Sequence, residues 1–302
     1  MNILLYLTVV VVWGASWLAI KFQVAALPPD LSVLYRFALA AALILPWAVL
    51  RRSRLRYSLG AHGLMAVMGL CMFSANYLLF YTATAAGLTT GLIALLFSTV
   101  VIMNLINERI WFGRAADPRM IAAAMLGIAG IAVVFWPDIM ALDSGEPRIL
   151  AILLSLLASY CFSLGNMASA QLQARGLPIV PTVGIAMAYG TATTLLYVLA
   201  TGRAFEFDLS ASFLASLAFL VVFGTVIAFG AYLTLLGRIG AARASYATVL
   251  FPLIALGLST LFEGYQWTPS ALVGVAMILA GNVVLLTRPP ATGRKATALD
   301  VG

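Results

Sequence analysis

Acidic residues are scarce in this chain, and the middle of every long apolar run is without one. Asp30, Glu108 and Glu263 sit at the ends of runs. An intramembrane aspartyl protease needs paired aspartates at depth, so that class is excluded. A proton carrier centred on a desolvated membrane carboxylate is disfavoured for the same reason. Histidine occurs once, as His62 near the end of the third run, which leaves no Ser–His pair for a serine-type enzyme. The chain therefore reads as a non-enzyme. The only two cysteines, Cys71 and Cys161, both lie in apolar runs and read as small packing residues, not a disulfide framework. No metal-ligand cluster and no cofactor are expected.

Charge of either sign is thin. Charged residues make up 9% and hydrophobic residues 63% of 302 positions, whereas soluble domains carry about 25% charged residues. The chain reads as an integral membrane protein with the bilayer as its partner. The net charge of +7 does not signal nucleic acid, because the basic residues fall in short loops between apolar runs. The first run lacks a basic leader and a small-residue cleavage site, so it reads as a retained span.

A span needs about 20 mainly apolar residues. That window gives ten candidates, at roughly 3–26, 31–50, 62–84, 88–107, 120–137, 148–170, 180–200, 211–236, 241–262 and 269–287. Most prolines fall between runs, as helix breakers should. Pro252 lies inside the ninth run and predicts a kink there. With both termini placed on the cytoplasmic side, thirteen basic residues fall in cytoplasmic segments and two, Arg148 and Arg203, in outer loops. The positive-inside bias thus predicts cytoplasmic N- and C-termini.

Sliding the chain by 155 positions places Tyr77-Leu78 on Tyr232-Leu233, Leu95 on Leu250 and Glu108 on Glu263. A slide of 147 places Trp13 on Tyr160 and Ser16 on Ser163. Each half holds five spans, an odd number, so the second half enters the membrane from the opposite side. The fold expected is all-α: two inverted five-helix repeats, 1–139 and 140–287, around a central cavity, with a cytoplasmic tail at 288–302.

The segment "LGRIGAARASYATVLFPLIALGLSTLFEGYQWTPSALVGVAMILAGNVVLL" (236–286) resembles the last spans of the EamA family, in the drug/metabolite transporter superfamily. It has the small-residue run, a mid-span proline, a glutamate closing the ninth span and a glycine-rich final span. Residues 85–134 resemble the same repeat, with Phe97 in the proline's place, so the fourth span should be unkinked or less kinked. "WGASWLAIK" and "LYRFALAAALIL" resemble the openings of spans one and two. The resemblance implies ten helices, a central cavity and movement of small metabolites. The small multidrug pumps of that superfamily carry a glutamate in their first helix; this chain has none there.

The residues left for binding are aromatic and neutral polar: Trp13, Ser16, Trp17, Asn76, Tyr77, Tyr81, Ser98, Tyr160, Ser163, Asn166, Tyr232 and Tyr246. Such a lining suits a neutral or zwitterionic solute with an apolar group. Each has a structural alternative. Serines back-bond to their own helix, asparagines join helix pairs, and tyrosines near span ends anchor at the interface. Lys21 and Arg36 fall near the outer interface, either snorkelling or supplying charge at the outer mouth. Gly127, Gly130, Gly274 and Gly281 predict close packing of spans five and ten, within a monomer or across a weak homodimer.

The function these features suggest is an alternating-access exporter of small metabolites in a bacterial-type inner membrane, with neutral or aromatic amino acids as the leading substrate class. Another metabolite or drug, or a sugar or nucleotide-type solute, is the alternative. A phosphate carrier would place several Lys or Arg residues in its cavity, which this sequence does not predict.

Overall fold

A computed structural model describes residues 2–53, 55–113, 118–134, 136–137, 147–245 and 247–286, and within these residues the regular structure is helical. The first four helices are α1 (Asn2–Ala26), α2 (Pro29–Leu50), α3 (Leu59–Ala85) and α4 (Thr90–Phe112). Then come α5 (Pro118–Val134), α6 (Pro147–Ala174), α7 (Ile179–Ala200) and α8 (Ala211–Ile239). A single turn, α9 (Ala241–Ala244), precedes α10 (Ala247–Phe262) and α11 (Pro269–Leu286). Among the described residues seven helices are long and apolar enough to cross a membrane, and three shorter apolar stretches lie in α5, α10 and α11. Arg54, Arg114, the loop holding Asp138, Asp143 and Glu146, Tyr246, and the 288–302 tail lie outside the described residues.

Local sequence sets the helix starts. Proline occupies the first position of α2, α5, α6 and α11, where no backbone donor is lost. Ser58 and Ser210 cap α3 and α8 by accepting from the Ala61 and Phe213 amides, each at 3.3 Å. Gly113 ends α4 at φ +64°, a conformation that favours glycine.

Two helices change pitch midway. α3 is π-helical over Gly69–Ala75, and α8 over Leu220–Ile227. α4 is interrupted at Ser98–Thr99 although the sequence offers no proline there. The expectation of a smoother fourth span is corrected on this point. Ser98 and Thr99 direct both their amides and their hydroxyls to the Leu95 and Leu96 carbonyls, so three-residue bonds replace the α-helical ones. α10 stays helical through Pro252, and the chain leaves helix upstream, at Ser245.

α4 is the enclosed helix. Its apolar window is 83% buried, against 39–50% for the other six long helices. It packs on α6 and α10, while α1 packs on α10 and α8. α2 lies on α7 and on the π segment of α8, and α7 lies on the π segment of α3. α5 and α11 pack on each other through glycine. A Cβ on Gly130 would lie 2.6 Å from the Gly274 carbonyl oxygen, and one on Gly281 2.8 Å from the Ala123 oxygen. The glycine faces of α5 and α11 therefore meet inside one chain. Gly127 is the exception, with nothing within 4 Å of a Cβ built on it. Exposed leucines such as Leu4, Leu50, Leu196 and Leu261 give the outside an apolar surface suited to lipid.

Candidate functional site

Trp13, Ser16, Trp17 and Ile20 recur at spacings of three and four on one face of α1, and that face lines a cavity. α2 contributes Arg36, and α3 contributes Asn76, Tyr77 and Phe80 just beyond its π segment. Phe97 comes from α4 immediately before its interruption, Phe162 from α6 and Phe251 from α10. Of the three helices that break their regular pitch, α3 and α4 deliver side chains to the cavity, while α8 lies behind them. Irregular turns of this kind re-aim side chains at functional sites.

The walls are aromatic, with edge-on pairs beside a stacked pair of Phe97 and Phe251. The Trp17 ring lies 5.0 Å from Phe80, and Phe97 lies 4.8 Å from Phe162. Trp13 lies 5.0 Å from both Phe229 and Tyr232 and donates its indole N–H to the Gly224 carbonyl at 3.1 Å. Such pairs hold rings in fixed orientations and present flat apolar faces.

Arg36 is fully buried in this setting. Its Nε donates to Thr225 Oγ1 at 3.0 Å, and its Nη1 to the Tyr81 hydroxyl at 3.3 Å. Its Nη2 reaches the Tyr77 hydroxyl and the Gly224 carbonyl, each at 3.5 Å. The guanidinium carbon stands 4.5 Å over the Tyr77 ring. Thr225 and Gly224 both belong to the π segment of α8. The reading of Arg36 as a snorkelling or outer-mouth charge is corrected: the side chain turns inward to the cavity. Tyr81, bonded to Arg36 and fully buried, is not an interfacial anchor.

The other sequence candidates scatter. Ser16 lines the cavity but spends its hydroxyl on the Val12 carbonyl at 2.7 Å. Asn76 lines it while donating to the Ala158 carbonyl at 2.9 Å. Ser98 is absorbed in the α4 interruption. Ser163 and Asn166 form a separate buried polar cluster with Asn104 and Asn107, which sequence reading had not singled out. Tyr232 packs under Trp13 and faces that cluster. Tyr160 points outward and is 41% exposed. Six residues turn a helix through about 600°, so Tyr160 and Asn166 cannot share one face. Phe162 takes the inward place and meets Trp13 at 5.9 Å. Tyr246 lies outside the described residues.

Lys21 stands apart from the cavity, 44% exposed, with its Nζ 3.3 Å from Glu263 Oε1. Asp30 pairs with Arg203 at 2.5 Å. Among the described residues no group of three His, Cys, Asp or Glu side chains could hold a metal ion. The cavity is thus equipped to bind an apolar group and a polar head by contact and hydrogen bonding.

Comparison with known proteins agrees with a carrier. A relative in Escherichia coli K12, named a probable amino-acid metabolite efflux pump, is 23% identical over 92% of this chain and 92% of its own length. The Bacillus subtilis transporter YvbV is 26% identical over 99% of this chain and 95% of its own. A solved crystal structure superposes with a TM-score of 0.71 over 94% of this chain and 96% of its own at 18% identity, a likeness of fold alone. The profile of the EamA-like transporter family matches residues 1–136 and 149–287. The chain belongs to the EamA-like transporter family.

Proposed function

We propose that the protein exports small metabolites, chiefly neutral or aromatic amino acids, by alternating access across the bacterial inner membrane. One observation carries the reading: the aromatic cavity is built from both halves of the chain, with Trp13, Trp17, Tyr77 and Phe97 from the first and Phe162 and Phe251 from the second. A solute held there touches both halves, so relative movement of the halves changes its access.

The helix contacts support a two-repeat, ten-span reading. α1 meets α10 and α8, while α6 meets α4 and α3. α2 meets α8 as α7 meets α3, and α2–α7, α4–α10 and α5–α11 pair directly. Exchanging the first half for the second leaves this contact pattern unchanged, as a two-fold relation requires. The amino-acid assignment draws on the efflux-pump relative and on the cavity's aromatic walls. Within this reading Trp13, Trp17, Asn76, Tyr77, Tyr81 and Arg36 are the binding residues, and Lys21 and Glu263 close the outer end. Counterflow of a labelled amino-acid panel in proteoliposomes tests it. Exchange of an aromatic amino acid supports the proposal, and movement of only a sugar or a cationic drug removes it.

A further inference from the structure

Among the described residues Arg36 is a cation without a counter-ion. It is fully buried, and its hydrogen-bond partners are a threonine hydroxyl, two phenol oxygens and a backbone carbonyl. Among the described residues no carboxylate lies within ion-pairing distance of it; the ion pairs at Glu263 and Asp30 go to Lys21 and Arg203. Burying an uncompensated charge is costly, and neutral hydrogen bonds lower that cost only in part. A charge that borders a cavity is compensated when an anion enters it.

The chemistry around the guanidinium favours an anion further. Four hydrogen bonds serve its five N–H groups, and two of them are stretched to 3.5 Å. Tyr77 and Tyr81 accept from Arg36 and each retains an O–H to donate. The group therefore offers surplus donors from a guanidinium and two phenols. The backbone makes room for it: a Cβ on Gly224 would lie 3.4 Å from Arg36 Nη2 and 2.9 Å from Ser16 Oγ. One cation with two hydroxyls matches a single carboxylate; a phosphate dianion calls for more positive charge. Beside it, Trp17, Phe80 and Phe97 form an apolar wall.

We propose that Arg36, with the Tyr77 and Tyr81 hydroxyls, anchors the carboxylate of the carried solute, so that the cavity selects aromatic or bulky apolar monocarboxylates over the matching amides and amines. The proposal deepens the export reading and rests on it for the word "carried". Binding tests it without transport. Full-length protein in nanodiscs is titrated with L-phenylalanine, phenylacetate, L-phenylalaninamide and 2-phenylethylamine, read by the fluorescence of its tryptophans. The two carboxylates bind, and the amide and amine bind roughly tenfold or more weakly. Arg36→Gln abolishes that discrimination, and Arg36→Lys keeps part of it.

Equal binding of acid and amide by the wild type overturns the proposal, as does failure of all four probes to bind. A monodisperse Arg36→Gln protein that binds L-phenylalanine within about twofold of wild type also overturns it. Should that variant fail to fold, the wild-type comparison of acid with amide decides alone. The two readings fail differently. Selective carboxylate binding with no counterflow removes export and keeps the anchor. Equal counterflow of L-phenylalanine and its amide removes the anchor and keeps export.

Discussion

The Glu263 carboxylate caps the start of α4, taking the Thr90 amide at 3.1 Å and the Thr90 hydroxyl at 2.7 Å. Ser259 donates to the same oxygen, and Lys21 pairs with the other at 3.3 Å. One side chain thus ties α1, α4 and α10, all of which line the cavity. Glu263→Ala should speed hydrogen exchange at the Thr90 and Gly91 amides and lower stability by about 1–2 kcal/mol, the range for a lost cap with hydrogen bonds to a charged group. Lys21→Gln should change stability by less than about 1 kcal/mol, because its ammonium is half exposed. Exchange mass spectrometry and thermal unfolding in one detergent measure both.

A second prediction concerns the α5–α11 seam. Gly130→Val drives a branched side chain into the Gly274 carbonyl and Ile278. It should cost about 1–3 kcal/mol, as overpacking does. Gly127→Ala, with open space at its Cβ, should stay within about 1 kcal/mol of wild type. Thermal unfolding of the two variants side by side provides the check.

The outward Tyr160 and the inward Trp13 separate the cavity from the lipid face. Tyr160→Ala should leave transport unchanged. Trp13→Ala removes ring contacts to Phe162, Phe229 and Tyr232 and should reduce transport roughly tenfold or more. Trp13→Phe keeps a ring but loses the hydrogen bond to Gly224, and should fall between the two. Initial rates at equal reconstituted protein rank the three.

Topology gives a fourth. In a Cys71→Ala, Cys161→Ala background, Arg203→Cys should react with an impermeant maleimide on intact cells. Arg52→Cys should react only after permeabilisation. Reversed labelling would overturn the charge-based orientation.

The apolar runs were legible because backbone in lipid must be helical over a fixed length. The cavity was legible in part, through Trp13, Trp17 and Tyr77, whose polar tips stand out in an apolar run. Phe97, Phe162 and Phe251 were not, since a phenylalanine facing a cavity reads the same as one facing lipid. Arg36 was misplaced because an arginine close to a span's start reads as snorkelling, and only tertiary structure turns it inward. The π segments leave no compositional mark, and Ser98–Thr99 breaks α4 through hydroxyls that elsewhere sit quietly in helices.

Proteoliposomes preloaded with unlabelled L-phenylalanine and diluted into labelled L-phenylalanine show whether the cavity carries an amino acid. Transient accumulation above empty liposomes, lost in Trp13→Ala, is the expected result. Well-folded protein that exchanges no amino acid, yet exchanges a sugar or a cationic drug, would overturn the amino-acid assignment.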